Sequence, residues 1–138
     1  NRYGVRPEQL NLEITETAAS ISQQALEDNI EDLTNMGMKI SLDDFGTGYS
    51  SLNHIREMPI DVIKIDRCFI EHLGEDDFSN AFVKMVAELA SAIGVHVCVE
   101  GVETDQQLDV VQQMNIGMIQ GYYFGKPMQI GEFEQKYL

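Results

Sequence analysis

The sequence predicts an α/β fold of the TIM-type (β/α) barrel kind, here a partial barrel of about five parallel strands. Three observations predict it. Short strand-like runs alternate with helical patterns, as in a parallel sheet covered by helices. Each run has one aliphatic and one polar face, whereas a doubly wound sheet carries helices on both sides and needs both faces apolar. The polar faces end, at the C-terminal side of each run, on a chemistry-bearing side chain, the position where such barrels build their sites.

The first run, Leu10–Thr15, follows a turn-like segment (Gly4–Gln9) and sets Leu12 and Ile14 against Asn11, Glu13 and Thr15. A helix is expected over Ser20–Met36, with Leu26, Ile30 and Leu33 on one face and Gly37 as its stop. In the second run, Lys39–Asp43, Ile40 and Leu42 oppose Ser41 and Asp43. A glycine-bearing loop and a short helix over Ser50–Met58 lead to the third run, Val62–Asp66, where Ile63 and Ile65 oppose Val62, Lys64 and Asp66. The helix Ser79–Ile93 groups Phe82, Val83, Val86, Leu89 and Ala90 and stops at Gly94. The fourth run, Val95–Glu100, sets Val95, Val97 and Val99 against His96, Cys98 and Glu100. A helix over Thr104–Met114 carries Leu108, Val111 and Met114, the fifth run spans Met118–Phe124, and a last helix covers Gly131–Leu138. Glu13, Asp43, Lys64, Glu100 and Gln120 thus share strand-end positions. Ordinary solvated strand ends would account for one or two of them.

The bulk composition narrows the function. With 138 residues and 43% hydrophobic content, the chain is the size of one domain with a real core. A net charge of −14 opposes contact with a DNA or RNA polymer or an anionic membrane surface. An anionic ligand would need metal ions to supply attraction. No apolar run approaches the ~18 residues of a membrane span, so this segment is expected to make no membrane contact and to sit in the cytoplasm. The first residue is Asn1 rather than Met, so an origin in a longer chain is expected. Cys68 and Cys98 lack metal-type spacing and read as buried free thiols in a reducing compartment. His54, His72 and His96 form no ligand spacing, and His96 reads as a core or hydrogen-bonded residue.

Five segments in order, NLEITET (Asn11–Thr17), SLDDFGTGYSSL (Ser41–Leu52), IKIDRCFI (Ile63–Ile70), VEGVET (Val99–Thr104) and QGYYFGKPM (Gln120–Met128), resemble EAL domains. The likeness covers nearly the whole chain, which reads as the C-terminal part (residues 1–138) of a single such domain. The resemblance implies hydrolysis of cyclic di-GMP to linear pGpG with Mg²⁺ or Mn²⁺. Two-metal phosphodiester hydrolysis needs carboxylates that clamp hard cations about 3.5–4 Å apart. By resemblance Glu13 holds one metal, Asp43 bridges, and Asp44 helps hold the second. Lys64 would orient the attacking water and offset phosphoryl charge. Glu100 is either the general base or a second-metal ligand. Gln120 would contact a metal-bound water or the substrate. Glu16 and Glu103 would pin the loop Gly46–Ser51, where Gly46 and Gly48 permit φ > 0 and close approach.

Each role has a plainer counterpart. An Asp-Asp pair alone is usually a solvated turn or cap; Lys64 is otherwise a structural partner of Asp43 or Asp44; Glu16 otherwise caps a helix. Val99 and Gly125 depart from the family pattern without touching the chemistry. The signature Glu-Ala-Leu strand, an asparagine-bearing strand and a phosphate-holding arginine are not in the sequence, so little activity is expected from this piece alone. Open sheet edges lead to an expected homodimer or other self-association. A non-catalytic cyclic di-GMP-binding or dimerisation module is the alternative function.

Overall fold

The computed structural model describes residues 4–21, 23–48 and 58–138. Strands β1 (Asn11–Thr15), β2 (Lys39–Phe45), β3 (Val62–Ile65), β4 (His96–Glu100) and β5 (Met118–Gln120) form one sheet in chain order, every pair parallel. The described helices are α1 (Glu16–Ile21), α2 (Gln23–Asn35), α3 (Asp77–Ile93), α4 (Asp105–Gln113) and α5 (Ile130–Tyr137). Sequential parallel strands, with described helices in the β1–β2, β3–β4 and β4–β5 connections and no reversal in strand order, make an arc of a (β/α) barrel.

The strand sequences fix which face goes inward. Ile40, Leu42, Ile63, Ile65, Val97 and Val99 are buried, together with Ile30 from α2, Val83, Val86 and Ala90 from α3 and Val111 from α4. The core therefore lies between the sheet's aliphatic face and the helices. A one-residue slip of any strand would turn these side chains over, and fully burying each is worth about 1.5–3 kcal/mol, so register is strongly specified. The other face is free to carry polar groups.

The caps place the helices. Asp76 accepts hydrogen bonds from the Phe78 and Ser79 N–H groups at the start of α3, and Gly94, at φ 76°, ends it. Thr104 and Gln107 form a capping box at the start of α4.

Several boundaries differ from the sequence expectation. The helix expected over Ser20–Met36 is found as α2, Gln23–Asn35, and a further helix, α1, opens at Glu16 directly after β1, where Thr15 Oγ1 accepts from the Ala18 N–H. The fifth strand ends at Gln120, not Phe124. Beyond it, Gly121 packs against the Val102 backbone and the Tyr123 N–H donates to the Val102 carbonyl, turning the chain off the ladder. β2 runs on to Phe45. The helix expected over Ser50–Met58 lies outside the described residues except at Met58.

Two side-chain expectations are corrected. Cys68 is exposed, because it sits in the 3-10 turn Arg67–Phe69 after β3 rather than in a strand, and Cys98 is half-buried. His96 is exposed at the start of β4, since the helices cover the opposite, aliphatic face.

Candidate functional site

Parallel strands carry their C-terminal ends to one rim, and the register brings specific residues there side by side. Thr15 pairs with Asp43, Lys64 with Cys98, and Glu100 with Gln120. Lys64 is 7% exposed and forms the centre. Its Nζ lies 2.8 Å from Glu13 Oε1, 2.8 Å from Glu100 Oε1 and 3.0 Å from Asp43 Oδ1. Burial favours the neutral amine, but the carboxylates of Glu100, Glu13 and Asp43 outweigh it and hold the Lys64 pKa above the ordinary lysine value. A permanent ammonium thus sits among three carboxylates drawn from β1, β2 and β4. Asp44 is not among them.

A bulge accounts for that. Leu42 pairs with Ile63 and Phe45 with Ile65, so β2 carries one residue more than β3 across this step. Asp44 takes φ 55°, the left-handed region that Asp tolerates better than most residues. Bulges re-aim side chains at strand ends, and here the strict in–out alternation breaks at the Asp43–Asp44 pair. The Asp44 carbonyl accepts from the Thr47 N–H (3.2 Å) and Oγ1 (2.8 Å), closing the turn.

The loop behind this turn is held from below. Glu16 is 2% exposed, and its Oε2 accepts from the N–H groups of Gly46 (3.0 Å) and Gly48 (2.9 Å). At φ 99°, Gly46 leaves no room for a side chain, since a Cβ would lie 2.6 Å from both the Phe69 and Phe82 rings. Those rings stack with centroids 4.0 Å apart. Glu103, by contrast, is exposed, and among the described residues its side chain takes no hydrogen bond from Gly46 or Gly48. Residues 49–51 of the loop lie outside the described residues.

Gln120 closes the row, exposed at the end of β5 with its carbonyl accepting from the Val102 N–H (3.2 Å). Beside it, Glu100, Gln120, Arg67, Tyr122 and Phe124 line a cavity of about 1030 Å³. Sequence reasoning passed over Arg67, Gln107 and the Phe69–Phe82 stack. Only Gln107 left a trace, as the last residue of a T-x-x-Q capping-box pattern.

The donor set suits a hard divalent cation. Glu13, Asp43 and Glu100 offer carboxylate oxygens, and Asp43 Oδ1 is buried without a hydrogen bond, its contact with Lys64 being an ion pair only. The side chains as they stand turn toward Lys64. Among the described residues, no three His, Cys, Asp or Glu groups are gathered to hold a metal by themselves.

Residues 1–127 match the sequence profile of the EAL domain. The chain belongs to the EAL domain family. Among its relatives, the bifunctional diguanylate cyclase/cyclic di-GMP phosphodiesterase MucR of Pseudomonas aeruginosa is 38% identical over 92% of this chain and 18% of its own length. The cyclic di-GMP phosphodiesterase RocR of the same organism is 38% identical over 91% of this chain and 32% of its own. An uncharacterized signaling protein of Caulobacter vibrioides reaches 40% over 90% of this chain and 15% of its own length. The chain therefore spans less than a third of the length of these curated relatives. Among solved structures, the MucR phosphodiesterase in complex with c-di-GMP superposes with a TM-score of 0.91 at 36% identity, covering 96% of this chain and 53% of that one. A manganese and cyclic di-GMP complex of Klebsiella pneumoniae BlrP1 superposes with a TM-score of 0.86 at 32% identity, covering 91% and 32%. This EAL chain contains no described helix long and apolar enough to cross a membrane.

Proposed function

We propose that this EAL chain supplies one wall of a metal-dependent phosphodiesterase site that hydrolyses cyclic di-GMP to linear pGpG. One observation carries the reading: carboxylates from β1, β2 and β4 meet around the Lys64 ammonium at the strand-exit rim. Phosphoryl chemistry needs that mixture, because anionic donors recruit hard cations while a fixed positive charge meets the phosphoryl oxygens. Glu13, Asp43 and Asp44 would hold Mg²⁺ or Mn²⁺. When bound, such ions supply Lewis-acid stabilisation and ease deprotonation of a water.

The chain's own residues do the rest. Lys64 stays charged through the working pH range and donates to the attacking water or a phosphoryl oxygen. Glu100, one strand over, stands within reach of the same point to accept a proton or serve as a ligand. Gln120 offers an amide to the substrate at the mouth of the cavity. Glu16 keeps the turn after Asp44 in place through Gly46 and Gly48, and Glu103 belongs to the same rim. With a charge of −14, the chain relies on Lys64 and the bound cations to admit an anionic dinucleotide.

The test is chromatographic detection of pGpG after incubation with cyclic di-GMP and Mn²⁺ of an intact EAL domain that contains this chain, with this chain alone alongside and expected to yield little. Turnover that falls by about 10²-fold or more in Asp43→Asn and Glu100→Gln is the expected result. Variants as active as the parent would overturn the assignment of the rim as the site.

A second reading, a module that binds cyclic di-GMP without cleaving it, is favoured by the ion pairs that Glu13, Asp43 and Glu100 already make with Lys64. Saturable binding without pGpG in the same assay would select it. In either case the edges of β1 and β5, unpaired among the described strands, are where we expect the chain to associate with itself.

A further inference from the structure

Glu100, Lys64 and Gln120 sit on three different strands, and their relative placement depends on the loops that follow. The segment Gly101–Thr104 after β4 is the crossing point. Gly101, at φ 80°, lies so close to the residue opposite that a Cβ on it would come within 2.5 Å of Arg67 Cβ, on the turn after β3. Val102 donates to the Gln120 carbonyl and accepts from the Tyr123 N–H, which ties the same segment to the exit of β5. Gly121 packs against the Val102 backbone from the other side. Whatever fixes Gly101–Thr104 therefore fixes three strand exits together.

One side chain does that fixing. Gln107 is 8% exposed, in the first turn of α4. Its Oε1 accepts from the N–H groups of Glu103 (2.8 Å) and Thr104 (3.1 Å). Its Nε2 donates to the Ile70 carbonyl at 2.9 Å and lies 3.5 Å from that of Glu71, both in the loop after β3. The capping box alone uses only the acceptor half. The donor half reaches 37 residues back along the chain, which no local helix-start requirement explains.

We infer that Gln107 is a positioning residue: through the amide it clamps the loop after β4 to the loop after β3, and so sets Glu100 and Gln120 relative to Lys64. It touches no reacting group. A buried amide satisfied on both ends is well suited to this, because either end left unpaired is costly and the two loops cannot drift independently. The catalytic consequence rests on the phosphodiesterase reading; the clamp itself does not.

Residue-resolved amide exchange on this chain, together with steady-state kinetics on cyclic di-GMP with Mn²⁺ for an intact EAL domain that contains it, tests it. Gln107→Leu removes both halves of the clamp. Gln107→Glu keeps the acceptors for Glu103 and Thr104 but faces a carboxylate oxygen to the Ile70 carbonyl. The expected result is faster exchange in residues 67–74 and 101–104 for Gln107→Leu, and in 67–74 alone for Gln107→Glu, with the amides of β2 unchanged in both. Where the parent turns over substrate, kcat falls about 10- to 100-fold in both variants with KM within twofold, the mark of lost alignment rather than lost binding. Exchange that rises equally across the sheet, or parent-like exchange in both loops, overturns the clamp. Intact kcat with locally raised exchange overturns its role in catalysis. An intact domain that yields no pGpG counts against the phosphodiesterase reading and leaves the exchange result to decide the clamp. Should Gln107→Leu fail to fold, Gln107→Glu alone decides both points by the same readouts.

Discussion

At the scale of single residues, Lys64 governs the candidate site. Its Nζ forms ion pairs with the carboxylates of Glu13, Asp43 and Glu100, whose mutual repulsion would otherwise act in a half-buried place. Its raised pKa makes the pH behaviour definite. A cation whose folded value lies above the unfolded one contributes stability fully below the unfolded value of 10.5 and loses it as pH rises through the folded one. Lys64 itself therefore adds no pH dependence between about pH 5 and pH 9. Lys64→Met should lower stability by about 1–3 kcal/mol, less than for a fully buried pair because Glu13 remains half exposed. Thermal melts should also show the variant recovering part of that loss on addition of Mn²⁺, which can replace the missing charge. A variant indifferent to Mn²⁺ would count against the carboxylates as cation ligands. Sequence reading found these four residues because each lies on the polar face toward the C-terminal end of a run with a clear aliphatic alternation. It did not find that one ammonium joins them, since that requires strands far apart in sequence to share a rim.

At the scale of elements, the joints between strands decide what the strands present. The bulge in β2 and the left-handed Asp44 set the Asp43–Asp44 pair apart from an ordinary strand end, and no local sequence rule announces it. At the opposite end of the sheet, Asp61 joins β2 to β3. Its carboxylate accepts from Lys39 Nζ (2.7 Å) and the Ile40 N–H (2.9 Å), while its backbone bonds reach Ile40 and His96. Burial pushes its pKa up, but the Lys39 and Ile40 hydrogen bonds and the charges of Lys39 and His96 pull it below the usual aspartate value. A depressed carboxylate stabilises above its unfolded pKa of 3.8 and loses that contribution as pH falls through the folded value. Asp61→Asn should therefore flatten the acid limb of the stability curve below about pH 4, by under about 1 kcal/mol because Lys39 is exposed. An acid limb identical to the parent's, measured by urea unfolding at about pH 3 and pH 6, would remove this role. The element boundaries were legible to within a residue or two where caps were in the sequence, as at Asp76, Gly94 and Thr104. They were misjudged at β5, where a backbone crossing with Val102 ends the strand.

At the scale of the whole molecule, the sheet is an arc. β1 and β5 each pair on one side only among the described strands, and Met118, Tyr122, Tyr123, Phe124, Phe133 and Tyr137 are exposed near the β5 side. Unpaired strand edges beside apolar surface favour strand-to-strand association. Sedimentation velocity of this chain at micromolar concentration should show a dimer or larger species. A single monomeric boundary across a tenfold dilution series would sink the idea. The net charge of −14 opposes such contact at low ionic strength, so association should strengthen as salt is added.

Fold class, family and the roll of strand-end residues were all legible along the chain, because alternation, caps and short ordered motifs are local signals that need no partner to be read. How those residues meet was not: Lys64 among three carboxylates, Asp44 set aside by a bulge, and Gln107 bridging two loops; Glu16 beneath the glycine loop was expected from the family resemblance, not from a local pattern. Glu16 lies 30 residues from Gly46, and Gln107 lies 37 from Ile70. Contacts over such separations follow from strand register and side-chain packing in three dimensions, which no local pattern encodes.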